Sequence, residues 1–571
     1  MVSKSELDQF RYTDIHRIVG RIPGVYISEE DGLGLRPNIG VRGTGSLRME
    51  KLNVMEDGVL IAPAPYASPA AYYSPTAGRM ESIEVRKGST QIKHGPFTTG
   101  GSLNYVSTPI PSSKHNSVSL DLGSFGKTLL QVRSGDVLGN FAYLIELYSD
   151  KTDGFKELDG GGDTGYSKTD FLTKLRYSFS ESHALEFKYS MTDEISDETY
   201  LGLTDDDFTQ SPNRRYSASQ LDRFVSDHKQ FHVSHDIFFT DRYEISSKIY
   251  WNEFNRSWNK FDGFIDGPRT QDVLRSPESY RSAYETLTGV RDSIVGDFTD
   301  LTIDVTDNYR EFSSKGAQVD IRAVVNLFDI EHSLRVGIRY HNDDVRRQHQ
   351  QKSYLMRNKQ LISDGVQRPL KSDNYAETTA LAMYISNEIT FDDLKLTLGL
   401  RHEEIDGDFD NRLTSNLSKN SQSITAPGLG VNYQLNDSLG ILAGIYVGFS
   451  PAGPGKQDTE AEESINLEYG FRYHNDSLNI ELIAFESDYD NLLGRCRASD
   501  SDCEIGQEFA GGGALVEGTE FMIGESWQIS ETILLTTDFV YTYSKSKFQS
   551  SFFSNFSQWG LVNEGDSLPY I

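Results

Sequence analysis

The sequence predicts an all-β protein: a large antiparallel barrel that crosses a membrane, preceded by a small mixed α/β domain. Two observations indicate the barrel. Apolar and polar residues alternate with period two through most of the chain after Ser117, and short polar turns alternate with long polar connections. A third observation indicates the small domain, since the stretch from Ile18 to Pro111 is irregular and punctuated by glycine. We therefore expect two domains, residues 1–111 and residues 112–571.

Composition limits the class of protein. The chain has 571 residues, with 55 Lys and Arg against 84 Asp and Glu, so its formal net charge is −29. Such a charge argues against binding of nucleic acid through a basic surface. The length exceeds that of one soluble core, which favours several domains or one very large barrel. Hydrophobic residues at 37% and aromatic residues at 11% are typical of a barrel with a polar lumen and aromatic girdles.

Strands are assigned from the alternation of apolar residues. In Leu394–Arg401 every second residue is leucine, and in Ile465–His474 large apolar residues alternate with polar residues or glycine. Strand geometry places such residues on one face, whereas helical geometry would scatter them. This reasoning predicts seventeen strands, from Ser117–Leu122 through Thr532–Tyr543, with an eighteenth beginning at Ser567–Ile571.

The connections distinguish a membrane barrel from a soluble β-sandwich. Short polar turns such as Thr390–Asp393 and Asn436–Ser438 alternate with long polar segments such as Asp193–Asp227, Ser257–Lys315 and Asp344–Ala376. Outer-membrane barrels have tight turns on the periplasmic side and long loops on the external side. Soluble domains seldom contain several structureless loops of this length. The pattern therefore favours the membrane barrel.

Neither end of the chain provides a targeting or helical membrane segment. No run of 18 apolar residues is present, so the sequence predicts no transmembrane helix. The segment Met1–Ile18 lacks the apolar core of a signal peptide. For an exported barrel this absence predicts that the chain is incomplete and that the export signal lies upstream. A cytosolic protein is the alternative.

Motifs for other chemistry are few. The sequence contains no HExxH, no Walker P-loop and no GxSxG elbow, and its twelve histidines are scattered, so we expect no enzyme, no metal site and no cofactor. Cys496 and Cys503 are the only cysteines and lie in the predicted loop Asn491–Ala514. Two thiolates cannot complete a zinc tetrahedron. We expect a disulfide that staples this loop in an oxidising compartment, and the alternative is two reduced surface cysteines.

Five motifs in the N-terminal domain carry a family resemblance. They are RIPGVYI (Arg21–Ile27), NIGVRGTGS (Asn38–Ser46), LNVMEDGVLI (Leu52–Ile61), SIEVRKG (Ser82–Gly88) and HGPFTTGGSLNYVSTP (His94–Pro109). Their order and spacing resemble the plug domain of TonB-dependent outer-membrane receptors, and the wording is closest to the ferric dicitrate transporter branch. The resemblance implies a plug (residues 1–111) inside a barrel of twenty-two strands. It also implies that a TonB box lies upstream and that about five C-terminal strands are missing, which would leave two unpaired edges in lipid.

The resemblance also implies a function. The branch that the motifs resemble implies active uptake of a ferric chelate, ferric citrate or another anionic siderophore, across the bacterial outer membrane. The implied partners are TonB with its inner-membrane motor proteins, the ferric chelate, and outer-membrane lipid and lipopolysaccharide. Iron is cargo rather than a cofactor. The alternatives are a receptor for cobalamin or a glycan, a passive porin-like barrel, and a soluble glycan-binding β-protein.

Tyrosines of one plug segment are candidate contacts for the cargo. The segment Ala62–Thr76 contains too many prolines to form a regular strand. The resemblance implies that loops of this kind rise toward the outside and touch the substrate. Tyr66, Tyr72 and Tyr73 are therefore candidates, and simple packing of the loop is the alternative.

Arginines on the predicted luminal face are the second group of candidates. Arg339 and Arg401 are expected near the external ends of their strands, and Arg346 and Arg347 begin the loop that follows the first of these strands. Guanidinium groups form charge-assisted and often bidentate hydrogen bonds with carboxylates, which suits an anionic chelate. The alternative is that they pair only with acids of the barrel wall.

A contact between plug and barrel is the last prediction. Glu468 and Glu520 lie on the polar faces of their strands. The resemblance implies that such glutamates hold two plug arginines, which here are Arg42 and Arg86. Two neighbouring buried carboxylates repel each other unless cations lie between them, so the arrangement is physically reasonable. The alternative is that both glutamates face luminal water.

Overall fold

The structure, a computed structural model, describes residues 1–295, 298–299, 301–455, 459–495, 508–510, 512–553 and 560–568. In these residues long antiparallel strands form one sheet that is rolled into a barrel. Each strand pairs with the next along the chain. The predicted number of strands is confirmed. The seventeen long strands are His115–Leu122, Thr128–Leu138, Phe141–Thr152, Tyr166–Ser180, His183–Ser196, Arg223–Thr240, Tyr243–Ile265, Thr302–Leu327, Ile330–Arg357, Leu370–Phe391, Leu394–Asn411, Asn416–Gln434, Leu439–Ser450, Glu462–His474, Leu478–Asp490, Ala514–Ser530 and Ile533–Phe548.

The two faces of this sheet have opposite character. Leu398 and Leu400 are 47% and 44% exposed, whereas Arg401 and Glu403 on the other face are 3% and 0% exposed. A β-sandwich would bury its apolar face instead. An apolar outer surface around a filled polar lumen is the arrangement of a membrane barrel. No helix in the described part of the chain has the length and apolar character needed to cross a membrane.

Long strands extend into two of the predicted loops. Tyr243–Ile265, Thr302–Leu327 and Ile330–Arg357 extend far into the segments Ser257–Lys315 and Asp344–Ala376, which the sequence assigns to loops. Crossing a bilayer takes about 9–11 residues per strand, so these strands reach well beyond it. Beyond the bilayer neither face contacts lipid, and polar sequence can continue the hydrogen-bonded ladder. The expected opening of an eighteenth strand at Ser567–Ile571 lies mostly outside the described residues, and its described residues Ser567 and Leu568 are not part of a strand.

The long connections contain structure of their own. Tyr216, Val273, Leu287 and Met356 are buried together in an apolar cluster formed by connections and strand extensions. The connections are therefore folded over the barrel mouth. Their elements are helices Asp205–Gln210, Thr270–Arg275 and Arg281–Thr288, the 3-10 turn Ser217–Ser219, and short strands Glu157–Leu158, Arg214–Arg215, Ile294–Val295, Phe298–Thr299, Gln360–Ser363, Leu493–Arg495, Glu508–Ala510, Phe552–Phe553 and Leu561–Val562.

The plug is a mixed α/β domain. Its strand order is Val59–Leu60, Asn53–Glu56, Ser102–Ser107, Met80–Arg86, with the central pair parallel. The tight hairpin in this sheet turns at Asp57 and Gly58, whose φ values of 52° and 75° suit a type I′ turn. The other elements are helices Lys4–Phe10 and Ile15–Val19, the strand pair Val25–Ile27 and Ile39–Val41, and the 3-10 turns Leu47–Met49, Ala77–Arg79 and Ser89–Gln91.

The plug lies inside the barrel, as predicted. Polar contacts join it to strands on all sides of the wall, namely Arg11–Asp121, Arg79–Asp170, Tyr66–Asp343, Lys51–Glu462 and Gly24–Thr542. The lumen is therefore filled by a folded domain, and the luminal side chains of the barrel contact the plug.

Candidate functional site

Three arginines surround the ring of Tyr72 in the plug. We call Tyr72 and these arginines (Arg48, Arg256 and Arg310) the apex cluster. The Cζ atom of Arg256 is 4.2 Å from the centroid of the Tyr72 ring, and those of Arg48 and Arg310 are each 5.6 Å away. Trp258 contacts the same ring edge-on at 6.2 Å. Arginine over an aromatic face is a stabilising arrangement, and it places several guanidinium groups within one small volume.

Arg256 carries a buried charge without a matching acid. Its side chain is 2% exposed, and its Nη1 donates to the carbonyl of Asn308 over 3.3 Å. Its Nε is buried without a hydrogen-bond partner, and no carboxylate lies within salt-bridge distance of Arg256 among the described residues. A buried cation without a counter-ion is unfavourable. The apex cluster therefore favours an anion beside Arg256.

The pKa of Tyr72 reflects the same positive potential. Burial alone raises the pKa of a phenol, because it disfavours the charged form. Here Arg310, Arg256 and Arg48 outweigh burial and lower the pKa of Tyr72 to about 8. The phenol thus reports an excess of positive charge at the top of the plug.

The cations come from three parts of the chain. Arg256 lies in phase with Trp258 on the luminal face of its strand, and Arg310 lies on a neighbouring strand, where its Nε contacts His349 at 3.4 Å. Arg48 comes from the plug and adopts a left-handed backbone conformation with φ 48°.

A cavity of about 550 Å³, lined by residues including Asp307, Tyr309, Gln348 and Gln350, has none of these three arginines in its lining. We therefore do not assign the binding site to that cavity.

Tyr66 and Tyr73 have different surroundings from Tyr72. The hydroxyl of Tyr66 donates to Glu403 over 2.8 Å, and its backbone N–H donates to Asp343 over 2.6 Å. Tyr73 stacks on His228 with 3.6 Å between the ring centroids. Both tyrosines are buried, so these contacts correspond to packing of the plug against the wall.

Arg339 and Arg401 are covered by the plug. Arg339 lies nine residues from the short-turn end of its strand and eighteen from the other end, so its predicted place near the external end is wrong. Among the other candidates, Arg346 forms a half-exposed pair with Glu311 at 3.7 Å, and Arg347 donates to Asn374 over 3.2 Å.

Arg256 and Arg310 were not among the residues singled out from the sequence. The segment Phe254–Lys260 carries Phe, Arg, Trp and Lys at every second position, which is a signal for one luminal face of aromatic and cationic residues. The assignment of Ser257–Lys315 to a loop cut this pattern off after Arg256 and placed Arg310 inside the loop.

The plug arginine Arg42 contacts both predicted glutamates. Its Nη1 is 3.0 Å from Glu468 and its Nε is 2.9 Å from Glu520. The predicted second arginine is wrong: Arg86 pairs with Glu84 on its own strand at 3.0 Å, because residues two apart share a face. The adjacent Lys87 takes its place and lies 2.8 Å from Glu520.

Two plug glycines make room for these glutamates. A Cβ at Gly88 would lie 1.8 Å from Oε1 of Glu468, and a Cβ at Gly24 would lie 1.9 Å from Oε1 of Glu520. Both glycines also have positive φ, 80° and 74°. The plug backbone therefore approaches the carboxylates at positions where only glycine fits.

A second buried ionic network joins the plug to another part of the wall. Lys188 of the barrel lies 2.6 Å from both Glu56 and Asp57, at the plug hairpin. Arg79 of the plug lies 2.6 Å from Glu56 and 2.8 Å from the barrel residue Asp170. Four of these five side chains are fully buried, so the charges depend on one another for compensation.

The structure does not describe the two cysteines, and its described residues form no metal site. Cys496 and Cys503 lie outside the described residues, so their pairing stays a prediction. Within the part of the chain that the structure describes, no three His, Cys, Asp or Glu side chains are grouped so as to hold a metal ion.

A barrel whose lumen is filled by a folded domain and carries a basic cluster has the architecture of a plugged receptor, not of an open pore. Comparison with protein families gives the same class. Residues 1–102 match the TonB-dependent receptor plug domain, and residues 242–571 match the TonB-dependent receptor-like β-barrel. The chain belongs to the TonB-dependent receptors, a family of transport barrels of the bacterial outer membrane.

Individual relatives are distant. The vitamin B12 transporter BtuB of Vibrio vulnificus strain CMCP6 is 22% identical over 504 residues, which cover 86% of this chain and 67% of BtuB. BtuB of Vibrio vulnificus strain YJ016 is 26% identical over 200 residues, which cover 34% of this chain and 32% of that relative. The matched regions thus span between about a third and two thirds of these curated relatives.

Two solved structures share the fold. The ferric citrate transporter FecA in its unliganded form superposes with a TM-score of 0.75 at 18% identity, covering 96% of this chain and 81% of FecA. The siderophore receptor PiuA from Acinetobacter baumannii gives a TM-score of 0.75 at 14% identity, covering 100% and 82% of the two chains. At such identities the likeness concerns the fold alone.

Proposed function

We propose that the protein is an outer-membrane receptor for TonB-energised uptake of an anionic ferric chelate, ferric citrate or another siderophore. The observation that carries the proposal is the apex cluster, where Arg256 is buried without a carboxylate partner among the described residues. Carboxylate groups of a chelate would accept charge-assisted hydrogen bonds from these guanidinium groups. The names of FecA and PiuA, which refer to ferric citrate and to a siderophore, support iron as the cargo.

The proposed mechanism contains no bond chemistry. The chelate enters between the external connections and binds Arg256 and Arg310 beside Tyr72, whereas Arg48 is already paired with Glu30 of the plug. The external connections close over it, and TonB, driven by the inner-membrane motor proteins, then pulls on the plug (residues 1–111) inside the barrel (residues 112–571). The apolar outer surface contacts membrane lipid and lipopolysaccharide. Iron travels as cargo, and its coordinating oxygens belong to the chelator.

A corrinoid is the second candidate cargo, because the curated relatives are vitamin B12 transporters. Cyanocobalamin has no net charge and would leave Arg256 without a counter-ion. A passive porin is disfavoured because a folded plug fills the lumen. A soluble glycan-binding protein is disfavoured by the apolar outer surface of the barrel.

Binding measurements on the full-length receptor test the proposal. Ferric citrate, other carboxylate siderophores and cyanocobalamin are titrated by calorimetry into wild type, Arg256→Gln and Arg310→Gln. Each lost charge-assisted hydrogen bond should cost about 1.5–3 kcal/mol, or about tenfold to a hundredfold in Kd. The control is Arg412→Gln, because Arg412 forms an exposed pair with Asp410. Binding of cyanocobalamin alone, unaffected by either luminal variant, would contradict an anionic cargo.

A further inference from the structure

The geometry points to a second anion-binding site in the lumen, at Arg339 and Arg401, which the plug covers here and which receives the chelate during transport. This inference rests on the proposed function and extends it from binding to passage. The ligand class is a carboxylate-rich anionic chelate. The site is latent, because plug atoms occupy it.

Plug oxygens occupy the guanidinium groups of both arginines. Nη2 of Arg339 donates to the carbonyl of Gly95 over 2.6 Å and to the hydroxyl of Tyr66 over 2.8 Å. Nη1 of Arg401 donates to the carbonyl of Lys93 over 3.1 Å. All three acceptors belong to the plug. Movement of the plug would therefore leave strong donors that face the lumen and can bind new acceptors.

The local charge balance favours an anion as the replacement. Glu403 is the carboxylate in contact, with its Oε1 2.6 Å from Nε of Arg401 and 3.8 Å from Nη2 of Arg339. Two guanidinium groups thus share one carboxylate.

The covering plug segment lies flat against the two arginines. A Cβ at Gly95 would lie 2.5 Å from Nε of Arg401 and 2.5 Å from Oε1 of Glu403. The absence of a side chain lets the peptide itself contact the guanidinium groups. The plug backbone therefore acts as a removable neutral acceptor in place of an anion.

The second site lies on the same wall as the apex cluster. Arg310 pairs in register with Arg347, which lies eight residues from Arg339 along one strand. At about 3.4 Å per residue the two sites are about 27 Å apart along the strand. Arg335 continues the same face toward the short-turn end. An anion that leaves the apex cluster would thus meet further arginines on its way through.

The test separates binding from passage in the full-length receptor with its energy source. Ferric citrate, or the carboxylate siderophore that binds best, is the probe. We expect the double variant Arg339→Gln/Arg401→Gln to bind it with a Kd within about twofold of wild type, while its uptake rate falls about tenfold or more. The variant Arg339→Lys/Arg401→Lys retains the charges and should keep most of the uptake.

Controls exclude a loosened plug as the cause. Tyr66→Phe removes the plug hydroxyl that accepts from Arg339 and donates to Glu403 without changing luminal charge. Its uptake therefore shows the effect of weakened plug contact alone and should fall far less than that of the Gln variant. Sensitivity of the cells to a large antibiotic reports leakage, and it should stay low in all variants. A fall in uptake in the Gln variant but not in the Lys variant supports the second site even if the Gln variant reaches the surface in lower amounts, because rates are normalised to surface receptor.

Several results would overturn the inference. Uptake at the wild-type rate in the Gln variant would remove any role in passage and leave the proposed function intact. A loss of affinity as large as the loss of uptake would assign both arginines to initial binding instead. Failure of the wild-type receptor to bind any anionic ferric chelate would overturn both proposals, and this outcome is distinguished by the binding assay alone.

Discussion

Nε of Arg42 in the plug donates to Oε1 of Glu520 in the barrel over 2.9 Å, although 478 residues separate the two in the chain. Its Nη1 reaches Glu468 as well, and Lys87 contacts Glu520 from the other side. These side chains are largely buried. Removal of one partner from a buried ion pair leaves an uncompensated charge. We therefore expect this group of ion pairs to help hold the plug in the barrel.

Arg42→Gln should loosen the plug. Two carboxylates would remain with only Lys87 to compensate them, and the free energy of plug release should fall by about 3–5 kcal/mol. Faster hydrogen exchange in the plug and greater permeability to large antibiotics measure the effect. Arg86→Gln is the matched control, because Arg86 is partly exposed and pairs within its own strand, so its effect should stay below about 1 kcal/mol. Equal effects of the two substitutions would contradict the assignment.

Lys188→Met should weaken the second ionic network. Although burial raises the pKa of Glu56, Arg79 and Lys188 outweigh it and hold that pKa at about 2. Without Lys188, the carboxylates of Glu56 and Asp57 would lose the cation that lies between them. The free energy of unfolding at neutral pH should therefore fall by about 3–5 kcal/mol. Thermal unfolding in detergent measures it, with the exposed Lys395→Met as control. The difference in stability between wild type and variant should shrink in acid, because protonation of Glu56 and Asp57 removes their uncompensated negative charge. A difference that grows in acid would contradict the assignment.

Docking of an external connection on the plug should depend on pH through Glu198. Its Oε1 accepts from Nε of the plug residue Arg36 over 2.8 Å. Burial raises the pKa of Glu198 to about 8, although Arg36 opposes this shift. Because the folded pKa lies above the usual value of 4.5, the contribution of this group to stability is fully present below that value and is lost as the pH rises toward 8.

Glu198→Gln tests this dependence. In wild type the loss of stability between pH 5.5 and 8 should reach at most about 1.4 kcal/mol per pH unit. The glutamine variant should lack this component, so its unfolding temperature should fall less across the same range. Identical pH profiles for wild type and variant would assign the dependence to other groups.

Cys496 and Cys503 should form a disulfide in the exported protein. The eight-residue segment is long enough to bring the Cα atoms to the separation of about 5.5 Å that the bond requires. Thiol labelling of the unreduced protein should find no free cysteine, and labelling after reduction should find both. Stoichiometric labelling before reduction would support the two reduced cysteines instead.

Much of the architecture followed from local sequence. Alternation such as that of Leu394–Arg401 reports directly which face contacts lipid, because strand geometry repeats every two residues. The glycine-rich motifs report turns and close approaches, as at Gly88 beside Glu468. The family resemblance of the VRGTG motif pointed to Arg42. The choice between Arg86 and Lys87 depended on where the short strand Met80–Arg86 ends.

The sequence by itself determined the class of fold and the division into plug and barrel, and the family resemblance of its plug motifs added Arg42 as the cation between Glu468 and Glu520. Only the tertiary structure decided which cations surround Tyr72. Arg256 and Arg310 lie where the strands have left the lipid, so no apolar face marks them as strand. Their approach to the plug depends on ladder register and on the depth of the plug, which are set by contacts between residues far apart in the chain. Local patterns carry no information about such distances.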